Sequence, residues 1–244
     1  MVSKNQIKLI TSLQQKKYRK EHGLFIAEGR KVIQELLDAS FDLHQLFVTE
    51  SLFEGIPSSK RFEITPLELT KISALKTANN CLALFKIPSD QKIDASGLLL
   101  GLDDVRDPGN MGTIMRLCDW YGITDLVCSE DTVDLYNPKV VQATMGSIAR
   151  VRVHYLNLES FVQDYEGPVF GTFMDGVSIY KEKLPNAGII IMGNEANGIS
   201  DKIAELTTQR IAIPRFGSLQ QTESLNVASA TAIILSEFMR SQPS

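Results

Sequence analysis

The chain has 244 residues, enough for one large or two small domains with a sizeable buried core. Hydrophobic residues make up 43% and charged residues 22%, and no apolar run approaches the ~20 residues that cross a bilayer, which argues against a membrane protein. A net charge of -4 argues against a globally basic nucleic-acid coat, so attraction for a polyanion has to be local.

Positive charge is concentrated at the start. Lys4, Lys8, Lys16, Lys17, Arg19, Lys20, Arg30 and Lys31 face only Glu21 and Glu28 within the first 31 residues. The leading residues Met1 to Gln6 lack the apolar core of a signal peptide, and the expected location is the cytoplasm. Cys81, Cys118 and Cys128 are not spaced like metal ligands, and His22, His44 and His154 stand singly. Reduced, buried thiols and no structural metal are expected.

A polar helix is predicted from about Ser3 to Lys20, ending in Lys16-Lys17-Tyr18-Arg19-Lys20. Cations flanking an aromatic ring suit a phosphate backbone with a base nearby; a solvated helix face is the competing reading. Leu24 to Glu28 reads as a strand closed by Gly29, and Val32, Ile33, Leu36 and Leu37 mark one face of a helix running to about Ala39. Leu43 to Thr49 reads as a second strand. Thr65 caps a helix with Pro66 at its first position, and Cys81 to Lys86 is a third strand. This alternation predicts a small α/β domain over residues 1–92, closed by a linker at Ile87 to Lys92.

From residue 93 to 244 the chain predicts a second α/β domain with a mostly parallel sheet. Strands are expected at Leu98 to Asp103, Asp125 to Cys128, Val151 to Tyr155, Val169 to Phe173, Ile189 to Met192 and Arg210 to Ile213, as continuous apolar runs covered on both faces. A final helix, from about Leu225 to Arg240, places Leu225, Ala228, Ala232, Leu235 and Met239 on a core-facing stripe.

Three of these strands run into small and polar residues, as buried strands do where they end in ligand loops. After the first comes Asp103-Asp104-Val105-Arg106-Asp107-Pro108-Gly109-Asn110-Met111-Gly112, with Asn110 read as the N-cap of a helix that carries Arg116. Arg106 and Arg116 suit RNA phosphate or a reacting hydroxyl; a turn shaped by Pro and Gly, with Arg116 paired to Asp119 or Asp103, is the alternative. Neither a dinucleotide-binding G-x-G-x-x-G after this strand nor a P-loop is present. The other two exits are Met192-Gly193-Asn194-Glu195-Ala196-Asn197-Gly198, and Ile213-Pro214 followed by Ser224-Leu225-Asn226-Val227-Ala228.

Asn110-x-Gly112-x-x-x-Arg116, Gly193-Asn194-Glu195-x-x-Gly198-Ile199, and Ile213-Pro214 with Ser224-Leu225-Asn226 resemble the three ordered motifs of the SpoU (TrmH-like) family of RNA ribose 2′-O-methyltransferases. The stretch with Lys16-Lys17-Tyr18-Arg19, Gly23-Leu24-Phe25 and Glu28-Gly29 resembles the L30e-like substrate-binding domain that precedes the catalytic domain in many members. The resemblance implies S-adenosylmethionine as methyl donor, a C-terminal α/β-knot with a deep trefoil, and a homodimer. Topology rules alone argue against such a knot.

By the same resemblance, the cofactor lies against backbone at Gly193, Ile213 and Leu225. Glycine at 193 is expected to admit the ligand to the main chain. Arg116 acts on the 2′-hydroxyl, Asn110 and Glu195 orient it or the ribose, and Ser224 and Asn226 reach the substrate; helix capping is the plainer reading of the last two. Lys16, Lys17, Arg19 and Arg106 are the expected RNA contacts. The long segment Arg215 to Thr222 departs from the family pattern. The implied substrate is ribosomal RNA. Transfer RNA, a silent RNA-binding assembly factor, and a methyltransferase for protein or small molecules are the competing readings.

Overall fold

The computed structural model describes residues 2–217 and 224–240. In chain order the first unit opens with α1 (Lys4–Ser12), α2 (Lys16–His22), β1 (Leu24–Glu28), α3 (Arg30–Asp38), β2 (Leu43–Val48), β3 (Arg61–Glu63), α4 (Pro66–Ile72) and β4 (Cys81–Lys86). The second begins with β5 (Leu98–Leu102), α5 (Pro108–Tyr121) and β6 (Asp125–Ser129). The chain then contributes α6 (Pro138–Ala143) to the first unit and returns for β7 (Arg152–Leu156), α7 (Leu158–Gln163), β8 (Val169–Ser178), β9 (Gly188–Met192), α8 (Asp201–Leu206), β10 (Gln209–Ala212) and α9 (Val227–Arg240).

By contacts the units are Met1–Asp90 with Asp134–Arg150, and Gln91–Val133 with Val151–Ser244. The boundary expected at 92/93 falls at 90/91, and Asp134–Arg150, expected in the second domain, groups with the first. Its side chains give the reason. Asp134 takes the Arg19 guanidinium, the Tyr136 ring lies 4.7 Å from that of Phe25, and Arg150 pairs with Glu35.

The first unit is built on a four-stranded sheet of order β1-β4-β2-β3, antiparallel except for the β2/β3 pair. Leu24, Ile26, Phe47, Leu69, Leu82 and Leu84 form one core cluster with Ile10 and Leu13 of the leading segment. The single helix expected over Ser3 to Lys20 is two. Leu13 is fully buried where the chain breaks, and Arg19 Nη1 donates to the freed carbonyls of Leu13 at 2.8 Å and Gln14 at 2.9 Å. A buried guanidinium thus satisfies acceptors that a continued helix would have bonded internally.

The second unit holds a six-stranded sheet of order β10-β8-β9-β5-β6-β7, with every pair parallel. All five residues of β9 and four of the five in β5 are buried, as the apolar runs require of strands covered on both faces. From β5 the chain builds outward through β6 to β7, then restarts on the other side with β8 and β9. The direction reverses between β5 and β9, and in parallel sheets the crevice outside the carboxyl ends at such a switch is where ligands bind. Among the described residues no helix is long and apolar enough to cross a membrane, and no group of His, Cys, Asp or Glu is placed to hold a metal ion.

Candidate active site

A cavity of about 1050 Å³ opens at the carboxyl ends of β9 and β10 and beside the middle of β8 in the second unit. Its walls are Thr172, Phe173 and Met174 from β8, Met192 to Gly198 after β9, Ile211 to Gly217 from β10 onward, Ser224 and Leu225, and Val227, Ala230 and Ile234 of α9. The volume and the mix of apolar side chains with loop backbone suit a small organic ligand.

The loop after β9 is held from several directions. Asn194 and Gly198 exchange backbone hydrogen bonds, each 2.9 Å, and Gly198 turns the chain at φ 72°. The Asn194 side-chain oxygen accepts the amides of Ala196 (2.9 Å) and Asn197 (3.1 Å), while its nitrogen donates to the Asp104 carbonyl after β5 at 2.6 Å. Buried Asp103 accepts the amide of Ser200 at 2.7 Å. The exits of β5 and β9 are thereby fixed to each other across the switch point.

Three of the expected residues meet in one hydrogen-bond chain. Asn226 Nδ2 donates to Asn110 Oδ1 at 2.9 Å, and Asn110 Nδ2 donates to Glu195 Oε1 at 2.7 Å. The side-chain oxygen of Asn226 meanwhile accepts the amides of Ala228 and Ser229 at 3.0 and 3.2 Å, so Asn226 caps α9 and reaches Asn110 at once. Each amide is used at both ends. The chain stops at a carboxylate, the one acceptor-only group in it.

Other expectations are corrected in detail. The N-cap of α5 is Asp107, whose carboxylate accepts the Asn110 amide at 2.8 Å; Asn110 sits inside the first turn, aimed at Glu195. Helix α9 starts at Val227, and Leu225 precedes it, half exposed on the cavity wall; the buried stripe is Val227, Ala228, Thr231, Ile234, Leu235 and Phe238. Gly193 is also required by its own loop. A Cβ there would meet the backbone of Gly198 at 2.2 Å. Gly193, Ile213, Ser224 and Leu225 do line the cavity.

Arg116 does not. It lies six residues past Asn110, about 9 Å further along α5, with its side chain exposed and no hydrogen bond or ion pair to another described residue. Arg106 is exposed and donates to Asp104 at 2.7 Å, a bond that raises its already high pKa. Lys16 and Lys17 are exposed on α2, with the Lys17 ammonium 5.7 Å from the Tyr18 ring centroid. Arg19 is withdrawn from the RNA contacts: it is 3% exposed, and its guanidinium is engaged by Asp134 and two carbonyls. Of the divergent segment, Arg215 to Gly217 line the cavity; residues 218–222 lie outside the described residues.

Sequence reasoning missed Asn194 as the tie between loops, Asp107 as the cap, and Thr172, Phe173 and Met174 as a wall. Asp107-Pro108 was a legible cap signal. The β8 residues carried none, because that strand runs ten residues where the apolar run ends at Phe173.

Fold and rim define an α/β protein with a ligand cavity at the carboxyl ends of a parallel sheet. More narrowly, the chain belongs to the SpoU rRNA methylase family, which residues 97–236 match, while residues 4–83 match an MRM3-like substrate binding domain. It is 30% identical to the 23S rRNA (guanosine(2553)-2'-O)-methyltransferase RlmP of Bacillus subtilis, with 96% of each chain covered. The solved structure of a Porphyromonas gingivalis protein described as an RNA methyltransferase of the TrmH family superposes with TM-score 0.91 at 37% identity, covering 99% of this chain and 100% of that one. The AdoMet-bound rRNA methyltransferase from Sinorhizobium meliloti gives 0.87 at 27% identity, over 100% and 98%.

Proposed function

We propose that this chain is an S-adenosylmethionine-dependent RNA ribose 2′-O-methyltransferase acting on ribosomal RNA. The observation that carries the reading is the hydrogen-bond chain Asn226–Asn110–Glu195, which draws one residue from each of three separated motifs to one rim beside the cavity. The family membership and the AdoMet-bound relative support the choice of cofactor.

The cavity residues fit that cofactor. Gly193, Ile213 and Leu225, which line the cavity, would hold it, with Phe173, Ala230 and Ile234 as apolar wall. When bound, it supplies an electrophilic methyl group. The chain's own residues position a ribose oxygen in line with it, and positioning contributes much of the rate. Arg116 would donate to the ribose oxygen while an adjacent RNA phosphate takes the hydroxyl proton; a guanidinium stays protonated, so it acts as a donor and not as a base. Asn110, Glu195, Ser224 and Asn226 keep the rim in register with the substrate. Lys16, Lys17 and Arg106 contact RNA phosphate, and the first unit captures RNA while the second transfers the methyl group. A deep trefoil knot, an L30e-like first domain, a homodimer and a cytoplasmic location belong to the same reading.

Calorimetry with S-adenosylmethionine tests the first step: micromolar to submillimolar binding is expected, and no binding at millimolar ligand would favour a silent assembly factor. Primer-extension mapping on rRNA from cells lacking the gene should reveal a missing 2′-O-methyl group. The Arg116→Lys variant should bind the cofactor normally yet lose about 100-fold in kcat, since a point charge does not reproduce the guanidinium fork. A wild-type rate would overturn its role.

A further inference from the structure

Where β10 ends, the chain presents an exposed aromatic side chain that the residues described so far do not use. Phe216 lines the cavity mouth and is 86% exposed. Its ring centroid lies 6.4 Å from that of Tyr180, with the rings tilted by 32°. Tyr180 sits in the 3-10 turn Ile179–Lys181 after β8, is itself 46% exposed, and is absent from the cavity wall. The pair therefore extends from the rim of the cavity onto the outer surface.

The surroundings are cationic. Lys181 follows Tyr180, Lys183 is two residues further on, Arg215 precedes Phe216, and all three are exposed. Two carboxylates of this stretch are engaged elsewhere: Glu182 accepts from Gln209 Nε2 at 2.8 Å, and Asp175 pairs with Arg210 at 2.6 Å. Aromatic faces interleaved with cations are how proteins take unpaired nucleotides, the rings stacking on bases and the cations tracking phosphates. On a protein of net charge -4, a local cluster of this kind is the charge complement of RNA.

We propose that Phe216 and Tyr180 form a stacking platform for an unpaired RNA base beside the nucleotide being methylated. This deepens the proposed function and rests on it. A ligand seated in the cavity reaches Phe216 alone. The surface spanned by both rings lies outside, where RNA has to pass to bring a ribose oxygen to the cavity mouth.

The test uses full-length protein with deproteinised rRNA from cells lacking the gene. Phe216→Ala and Tyr180→Ala should each raise KM for RNA about tenfold, the size of one lost base stack, and Tyr180→Ala, which lies outside the cavity wall, should leave kcat and the calorimetric Kd for S-adenosylmethionine within twofold of wild type. Phe216→Trp should restore KM. If Phe216→Ala weakens cofactor binding and leaves KM for RNA unchanged, the ring is a cofactor contact and the platform is wrong; unchanged values for both would also overturn it. If the wild-type protein binds cofactor but methylates no RNA, the enzymatic reading fails separately. Filter binding of the same rRNA by the same variants then decides the platform, a tenfold loss of affinity supporting it and equal affinity sinking it.

Discussion

A Cβ on Gly193 would stand 2.2 Å from the carbonyl carbon of Gly198 and 2.3 Å from the amide nitrogen of Ile199, both backbone atoms with no rotamer to yield. The Asn194/Gly198 bridge would have to open, and with it the loop that presents Glu195 to Asn110. Gly193→Ala should therefore cost about 1–3 kcal/mol in urea denaturation, in the range of overpacked sites, and weaken S-adenosylmethionine binding in the same variant. Gly217→Ala is the matched control: nothing lies within 4 Å of its added methyl, and stability should not change. At this scale the motif residues were legible but their mechanics were not. Asn110, Glu195 and Asn226 are separated by up to 116 positions, and sequence has no record of which amide donates to which oxygen. Arg19 was misread for a related reason. A cation in a basic run reads as solvated, and only the chain break at Leu13 and the distant Asp134 explain why this one is buried.

Elements with strong local signals were read correctly. The apolar runs of β5, β9 and β4 and the start of α4 stand where composition and capping place them. Thr65 and Glu68 form a reciprocal box, Thr65 Oγ1 accepting the Glu68 amide at 3.2 Å and Glu68 Oε2 accepting the Thr65 amide at 2.9 Å. Glu68 Oε1 also accepts the Val2 amide at 2.9 Å, tying the N-terminal segment to α4. Bonds from the backbone amides of Thr65 and then Val2 hold the Glu68 carboxyl down to about 2, from an ordinary 4.5. A carboxyl depressed on folding contributes stability that is present in full above its unfolded value and is lost as pH falls toward the folded one. The urea midpoint of wild type should thus exceed that of Glu68→Gln by a constant margin above about pH 5. That margin should shrink through the acid limb and vanish only below about pH 2. A margin independent of pH would mean that the carboxylate charge is irrelevant to the cap. Weak signals failed: β3 has three residues, all at least partly exposed, and the helix over Ser3 to Lys20 hid its break because polar helical residues continue through it.

For the whole molecule, the decisive feature is where Arg116 is not. Its side chain points to solvent on α5, outside the cavity wall, while Asn110, one and a half turns earlier, faces Glu195. One turn beyond Arg116, Trp120 is 83% exposed, the largest side chain in the protein left on a helix surface. Burying such a ring against a second copy is favourable, and in a two-fold interface each chain offers the partner what it receives. In the proposed homodimer, Arg116 is expected to serve the cavity of the partner chain, with Trp120 in the contact. Complementation tests this directly. Arg116→Ala and Asn226→Ala homodimers should each be nearly inactive. When the two are mixed and allowed to exchange, half of the dimers are mixed, and one of the two sites in each has both residues intact, so activity should recover to about a quarter of wild type. Trp120→Glu should abolish the recovery and shift the protein toward monomer in sedimentation. If the mixture stays inactive while sedimentation shows exchanged dimers, each chain supplies its own arginine, and α5 has to move for it to reach the ribose.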